Sequence, residues 1–341
     1  MYERIPEFPP HIAPLPEIER PVWSVIIPVY NCINYLGEAL ESVLLQAPAR
    51  ELMQIEVVDD CSTDGDVEKL VNTIGKGRVG YYRQEENRGS LRNFETCINR
   101  SKGKYIHLLH GDDKVEEGFY QEIANLFRDY PEAGAAFTNF NYIDHKSEIV
   151  PIKNESMLET PGIVPDFMDK IGVKQLIQPP AMVVKRSTYE AVGSFYAVHF
   201  GEDWEMWARI GSRFPMASSP ECLASYRVGH GIGISHKSYL SGQNVKDIKK
   251  VIDIIQQHLP ENQRSEIKKK AYAYHARFSV RVANTLLLSH TKAALRQAHG
   301  AWGMSKDYIT LFWMLRFYAM YGLRYKQIEN ILRNRKEMRK R

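Results

Sequence analysis

Cysteine is scarce. The four residues Cys32, Cys61, Cys97 and Cys222 are widely spaced with no C-x-x-C pair, which argues against a zinc site or a disulfide framework and suits a reducing, cytosolic compartment. Long hydrophobic runs are also lacking. The longest apolar stretch, residues 308–323, falls short of the ~20 residues that cross a bilayer and contains Arg316, so no span is expected. Charge of one sign does not dominate: 45 Lys and Arg face 41 Asp and Glu, a formal net charge of +4, which does not suggest a nucleic-acid binder. No glycine-rich phosphate loop follows the first strand, where the text reads PVYNCINYL, and this counts against a nucleotidyltransferase. The N-terminus mixes acids and prolines without an apolar core. It is therefore read as an extended arm over residues 1–20, a strap or lead-in, and not as a secretory signal.

What is present is an alternation. Residues 22–29 (VWSVIIPV) are β-branched and apolar up to a proline, the pattern of a buried strand. Leu36, Leu40, Val43, Leu44 and Ala47 then recur at helical spacing. QIEVVDD, RVGYYRQ and KYIHLLH are further strands, and each is followed by a helical pattern: Val67, Leu70, Val71 and Ile74; Leu91, Phe94 and Ile98; Phe119, Ile123, Leu126 and Phe127. Alternation of this kind predicts an α/β fold with a mostly parallel sheet covered by helices on both faces. Ligands of such sheets bind beyond the carboxyl ends of the strands, where Tyr30 and Asn31, Asp59 and Asp60, and Asp112 and Asp113 stand.

From residue 136 to 226 strands and short helices mix irregularly, with AMVVKR and CLASYRV as strands and residues 203–211 as a helix. After Ser235 the pattern is helical, broken near Pro260, Ser289 and Gly303. A soft boundary there separates a catalytic unit, residues 21–235, from a helical region, residues 236–341. The tail is basic: Arg316, Arg324, Lys326, Arg333, Arg335, Lys336, Arg339, Lys340 and Arg341 face only Glu329 and Glu337.

Taken as bare chemistry, acids at two strand ends with a further pair, Glu202 and Asp203, beside an apolar helix face could bind a divalent metal and supply a general base. On that ground a phosphoryl transferase is as plausible as a glycosyl transferase.

Five segments in order decide between them. VWSVIIPVYN, EVVDDCSTDG, ENRGSLRNF, GKYIHLLHGDD and GEDWEMWARIG resemble the successive motifs of family 2 glycosyltransferases over roughly residues 22–235. The resemblance implies a GT-A fold with a Rossmann-like mixed sheet, a nucleotide diphosphate sugar as donor (a UDP-sugar foremost), and inversion at the anomeric carbon. By position it assigns Asp60 to the nucleotide base, Asp59 to support of that loop, and Pro28, Val29 and Tyr30 to the cradle of the base. Asp113 matches the metal acid, for Mg2+ or Mn2+, and Asp112 its neighbour near the ribose. Gly111 stands where the first acid of the D-x-D element often lies. Arg92 and Asn93 match the segment between base pocket and metal. Asp203 matches the catalytic base, with Glu202 as its competitor. Arg227 and His230 belong to a segment resembling the family's Y-R-x-H loop over the diphosphate, with histidine one place later than in many relatives. The glycines at 229, 231 and 233 suit a lid.

No Q-x-x-R-W element of processive synthases occurs, so the expectation is a single addition to a glycan or lipid-linked glycan acceptor, in surface polysaccharide, lipopolysaccharide or protein glycan assembly. A polyprenyl-phosphate glycosyltransferase and a non-catalytic nucleotide-sugar binding module are the alternatives. The aromatics of residues 308–323 are expected to dock on the catalytic domain and the basic tail to be solvated. A peripheral contact with the inner face of the cell membrane is the competing reading.

Overall fold

The computed structural model describes residues 3–16, 19–152, 154–229 and 233–338, with side chains as far as Leu323. Strands and helices alternate through the first third: β1 (Trp23–Val29), α1 (Ile33–Leu44), β2 (Met53–Asp59), α2 (Val67–Gly75), β3 (Gly80–Arg83), α3 (Ser90–Arg100) and β4 (Tyr105–Leu108). All seven residues of β1 are buried because β2 and β4 flank it in parallel and helices cover both faces. A strand so placed needs no polar alternation. In α1, Leu36, Ala39, Leu40 and Val43 fall on one face and fill the core.

The sheet then changes direction. β5 (Lys114–Val115), α4 (Phe119–Asp129), β6 (Ala135–Ile143), β7 (Gly162–Ile163) and α5 (Phe167–Ile171) precede a 3-10 turn at Pro179–Ala181. β8 (Met182–Lys185), α6 (Arg186–Val192), α7 (Glu202–Gly211) and β9 (Met216–Arg227) follow. Among the described residues the strand order is β3-β2-β1-β4-β8-β6-β9-β5, with β7 on β9. β8 runs antiparallel to both β4 and β6, so the sheet is mixed, with four parallel strands at one side. The strands read at AMVVKR and CLASYRV correspond to β8 and to the end of β9. β6, nine residues long, emerges from a stretch whose pattern reads as irregular. Its register on β9 shifts on both sides of Asn139, and such bulges scramble the period-two signal that marks a strand.

Among the described residues five helices follow: α8 (Ile234–Ser241), α9 (Gln243–Gln256), α10 (Glu261–Leu286), α11 (Thr291–Trp302) and α12 (Tyr308–Met338). α9 and the start of α10 belong to the same core as the sheet, through Ile248, Val251, Ile252, Ile255, Ile267 and Ala271. A second core begins at Ala276 within α10 and includes Ala294, Met314 and Phe317. The two regions of the chain are thus joined by one continuous helix.

The described part of the N-terminal arm is a strap. Ile12 is fully buried; the carbonyls of Pro6 and Pro10 accept from Ala197 N (2.9 Å) and Ser194 N (2.8 Å). Arg186 Nη2 donates to Ala13 O at 3.0 Å. Gly193 permits this approach: at φ +79°, a Cβ there would lie 2.8 Å from Pro10 O, a position only glycine tolerates.

Candidate active site

Parallel pairing brings the carboxyl ends of β1, β2 and β4 to one rim, with Val29 against Asp59 and Ile26 against Leu108. Tyr30 leaves β1 with its side chain exposed. Next to it Asn31, at φ 53°, accepts from Thr63 N through Oδ1 at 2.8 Å. Pro28 O accepts from Gly111 N (3.2 Å) and Val29 O from Asp60 N (2.8 Å), so the backbone of residues 28 and 29 ties three strand ends together.

Asp59 and Asp60 divide their labour. Asp59 is fully buried, accepts from Ser62 N at 2.8 Å and from the Tyr81 hydroxyl at 2.9 Å, and pairs with Arg83. It braces the 59–62 turn from below. Asp60 accepts from Arg88 N (2.7 Å), Gly89 N (2.9 Å) and Asn87 Nδ2 (2.8 Å). Its carboxylate holds the 87–89 turn in place, while burial pushes its pKa up.

His110, Asp112 and Asp113 offer donor atoms that all lie within 4.8 Å of one another. Asp113 is almost wholly buried. One oxygen, Oδ1, accepts from Arg227 N at 2.8 Å; the other, Oδ2, is buried without a hydrogen-bond partner and lies 4.0 Å from His110 Nδ1. A buried carboxylate oxygen with nothing to accept from is costly and suits a cation. Burial and the charge of Asp112 push the Asp113 carboxyl well above its usual range, and burial lowers His110, leaving a neutral imidazole able to ligate. The donor set therefore fits a hard or borderline divalent ion. His110 was not singled out from the sequence, although it stands three residues before Asp113. It is fixed by stacking on Phe94, with centroids 5.2 Å apart and planes 11° apart. Gly111 has a steric reason to lack a side chain: a Cβ would come within 2.9 Å of both Cys32 Sγ and Val29 Cγ2.

Glu202 and Asp203 open α7. Asp203 Oδ1 accepts from Trp204 N at 2.7 Å and Oδ2 from Gln175 Nε2 at 2.6 Å. Burial raises its pKa to about 6, against the lowering effect of those two bonds. Burial and the charge of Asp203 push Glu202 well above the usual carboxylate range. Two hydrogen bonds thus favour the charged form of Asp203, while burial and its neighbour's charge disfavour that of Glu202. Trp204 and Trp207 are core residues whose indoles donate to Ile171 O (2.5 Å) and Ile177 O (3.1 Å), and these bonds hold α7 at its station. Gln175 lies in a loop without a periodic pattern, and nothing in the sequence marks it.

One small cleft is lined by His110, Phe94, Glu202, Asp203 and Trp207. Burial, and then the charges of Asp113, Asp203 and Asp112, raise the Tyr226 phenol well above the usual range.

Three expected donor contacts sit differently. The Arg227 guanidinium is spent on the protein: Nε donates to Asp112 O (2.7 Å), Nη1 to Asp144 O (2.6 Å) and Ser147 Oγ (3.0 Å), and Nη2 pairs with Glu38 at 3.0 Å. Its charge also lies over the Tyr35 ring at 4.5 Å. It buttresses the 110–113 turn. Arg92 reaches Glu3 O (2.8 Å) and Glu95 (2.8 Å). Asn93 donates to Val58 O at 3.0 Å and accepts from Gln84 at 3.2 Å, locking α3 onto the sheet. His230 lies outside the described residues.

The fold has known counterparts. S. aureus TarS 1-349 in complex with UDP-GlcNAc superposes with a TM-score of 0.59 at 14% identity, over 82% of this chain and 89% of that one. Mannosyltransferase PcManGT from Pyrobaculum calidifontis, in complex with GDP-Man and Mn2+, gives 0.55 at 18% identity, over 92% and 84%. An uncharacterized glycosyltransferase of Rickettsia felis is 26% identical over 211 residues, 61% of this chain; the match spans about a third (33%) of that relative's length. The GT-A resemblance of the sheet is thus shown by structure as well as by motif. The profile of glycosyl transferase family 2 matches residues 24–216, more than half of the chain, and the protein belongs to that family.

Proposed function

We propose that the protein is an inverting, single-addition glycosyltransferase that moves a sugar from a nucleotide diphosphate donor, UDP-linked in the first instance, to a hydroxyl of a glycan or lipid-linked glycan. The supporting observation is the cleft lined by both His110 and Asp203, with the buried, unpartnered Oδ2 of Asp113 lying 4.0 Å from His110 Nδ1.

The nucleotide takes the rim of Tyr30 and the Asp60-held turn, with Asp59 bracing from beneath. Pro28 and Val29 supply the backbone there. Asp113 and His110 would hold a divalent ion, Mn2+ or Mg2+, with Asp112 beside it; when bound, such an ion offsets the charge growing on the departing diphosphate. Asp203 Oδ2, oriented by Gln175, accepts the proton of the acceptor hydroxyl. The freed oxygen forms its bond to the anomeric carbon from the face opposite the leaving group. The bond from that carbon to the diphosphate oxygen breaks, and the nucleoside diphosphate departs with the electron pair. A single displacement inverts the centre. Glu202, whose charged form burial disfavours, lines the cleft beside the base.

The test is release of nucleoside diphosphate from a panel of nucleotide sugars with and without Mn2+, with NMR of any glycoside formed. Metal-stimulated release and a product of inverted anomeric configuration are expected. Binding without turnover across the panel, or a retained configuration, would overturn the reading.

A further inference from the structure

We propose that the outer face of α12, with the basic sequence that follows it, is a docking surface for an anionic lipid membrane. The apolar residues of this helix divide between two sides. Thr310, Met314 and Phe317 are buried, the latter two in the core shared with α10 and α11. Tyr308 (81% exposed), Leu311, Phe312 (64%), Leu315 (63%), Tyr318 and Leu323 (66%) face solvent. The exposed positions recur three and four apart and form one stripe on the side of the helix away from the buried set. Ala319 and Gly322 fall on it too, and among the exposed positions from 308 to 323 the only charge is Arg316. Water should meet a polar face here; it meets an apolar one. Half of the aromatic segment therefore does not dock on the rest of the protein, contrary to the expectation from sequence.

Charge decides the occupant. Beyond Leu323 the sequence carries Arg324, Lys326, Arg333, Arg335, Lys336, Arg339, Lys340 and Arg341 against Glu329 and Glu337. A second copy seated on this stripe would bring two such basic tails together, and their repulsion opposes the pairing. An anionic lipid surface takes both features: the stripe enters the headgroup boundary, tyrosines at the polar level, and the bases gain from the surface potential. Among the described residues no helix is long and apolar enough to cross a membrane, so α12 lies along the surface. No residue of the stripe lines the catalytic cleft.

Flotation of the full-length protein with vesicles of phosphatidylcholine alone, or mixed with phosphatidylglycerol, tests this. Binding to the mixed vesicles, weakened by salt, is expected. The double variant Phe312→Asp, Leu315→Asp should bind roughly tenfold less, with an unchanged far-UV spectrum because both side chains point away from the core. Arg333→Glu with Lys336→Glu should weaken binding to phosphatidylglycerol vesicles as well. Equal binding to neutral and anionic vesicles, or no binding, overturns the proposal. So does a wild-type dimer in light scattering that the Phe312 and Leu315 variant converts to monomer without any vesicle binding.

Discussion

Two neighbouring carboxylates at the start of α7 are treated unequally by burial, and this sets their chemistry. Asp203 keeps two stabilising hydrogen bonds and rests at about 6, while burial and the charge of Asp203 push Glu202 well above the usual carboxylate range. A raised pKa extends the protonated form to higher pH, so a base at Asp203 gains function as pH rises. We expect kcat/KM to climb through about pH 6 and level off above it; a flat profile across that range would remove Asp203 from the base role. Asp203→Asn should lower kcat by ~10² to 10⁴ with donor KM little changed, measured by initial rates at saturating acceptor. Motif position picks out both acids in the sequence, but the choice between them depends on solvation, which only the packed site supplies. His110 is the converse case. Its place beside Asp112 and Asp113 was in plain view, yet its role depends on Phe94 fixing the ring and on Gly111 leaving no room for an acid.

At the scale of the element, α7 is fastened by a buried ion pair. Glu205 and Arg209 face each other one turn apart at 2.9 Å, and Arg209 Nη2 also donates to Ser194 O at 3.0 Å, which joins the helix to the loop after α6. Removing one partner leaves the other charge buried and unpaired. Glu205→Ala should therefore cost ~3–5 kcal/mol, read as a lower denaturant midpoint with an unchanged slope. A loss well under 1 kcal/mol would mean that the pair is relaxed by water. Elements differ in how legible they are. β1 and α1 announce themselves because both-faced burial and a single-faced stripe are strong periodic signals. β6 does not, because its bulges break the period, and the Gln175 loop has no period to break.

At the scale of the whole molecule, the proposed function has the site join a nucleotide half built on the parallel strands to an acceptor half built around α7 and β9. Ligands that bridge the halves should stabilise the folded chain by mass action, about 2.7 kcal/mol at a hundredfold excess over Kd. Mn2+ added with a nucleoside diphosphate is therefore expected to raise Tm by a few degrees, and Asp113→Asn to abolish the increment; an equal shift in that variant would place the ion elsewhere. Chelation should reverse the effect.

By itself the sequence determined the order of elements in the first third, the strand ends that carry acids, and the family, since hydrophobic periodicity and motif text are local properties. Tertiary structure decided what depends on neighbours distant in the chain: that Arg227 braces Asp112 and Asp113, that Asp113 keeps an unpaired buried oxygen, that Gln175 orients Asp203, and that one side of α12 as far as Leu323 remains in water. Solvation and pairing energies are set by what surrounds a group in space, and a linear text carries that information only where contact and sequence coincide.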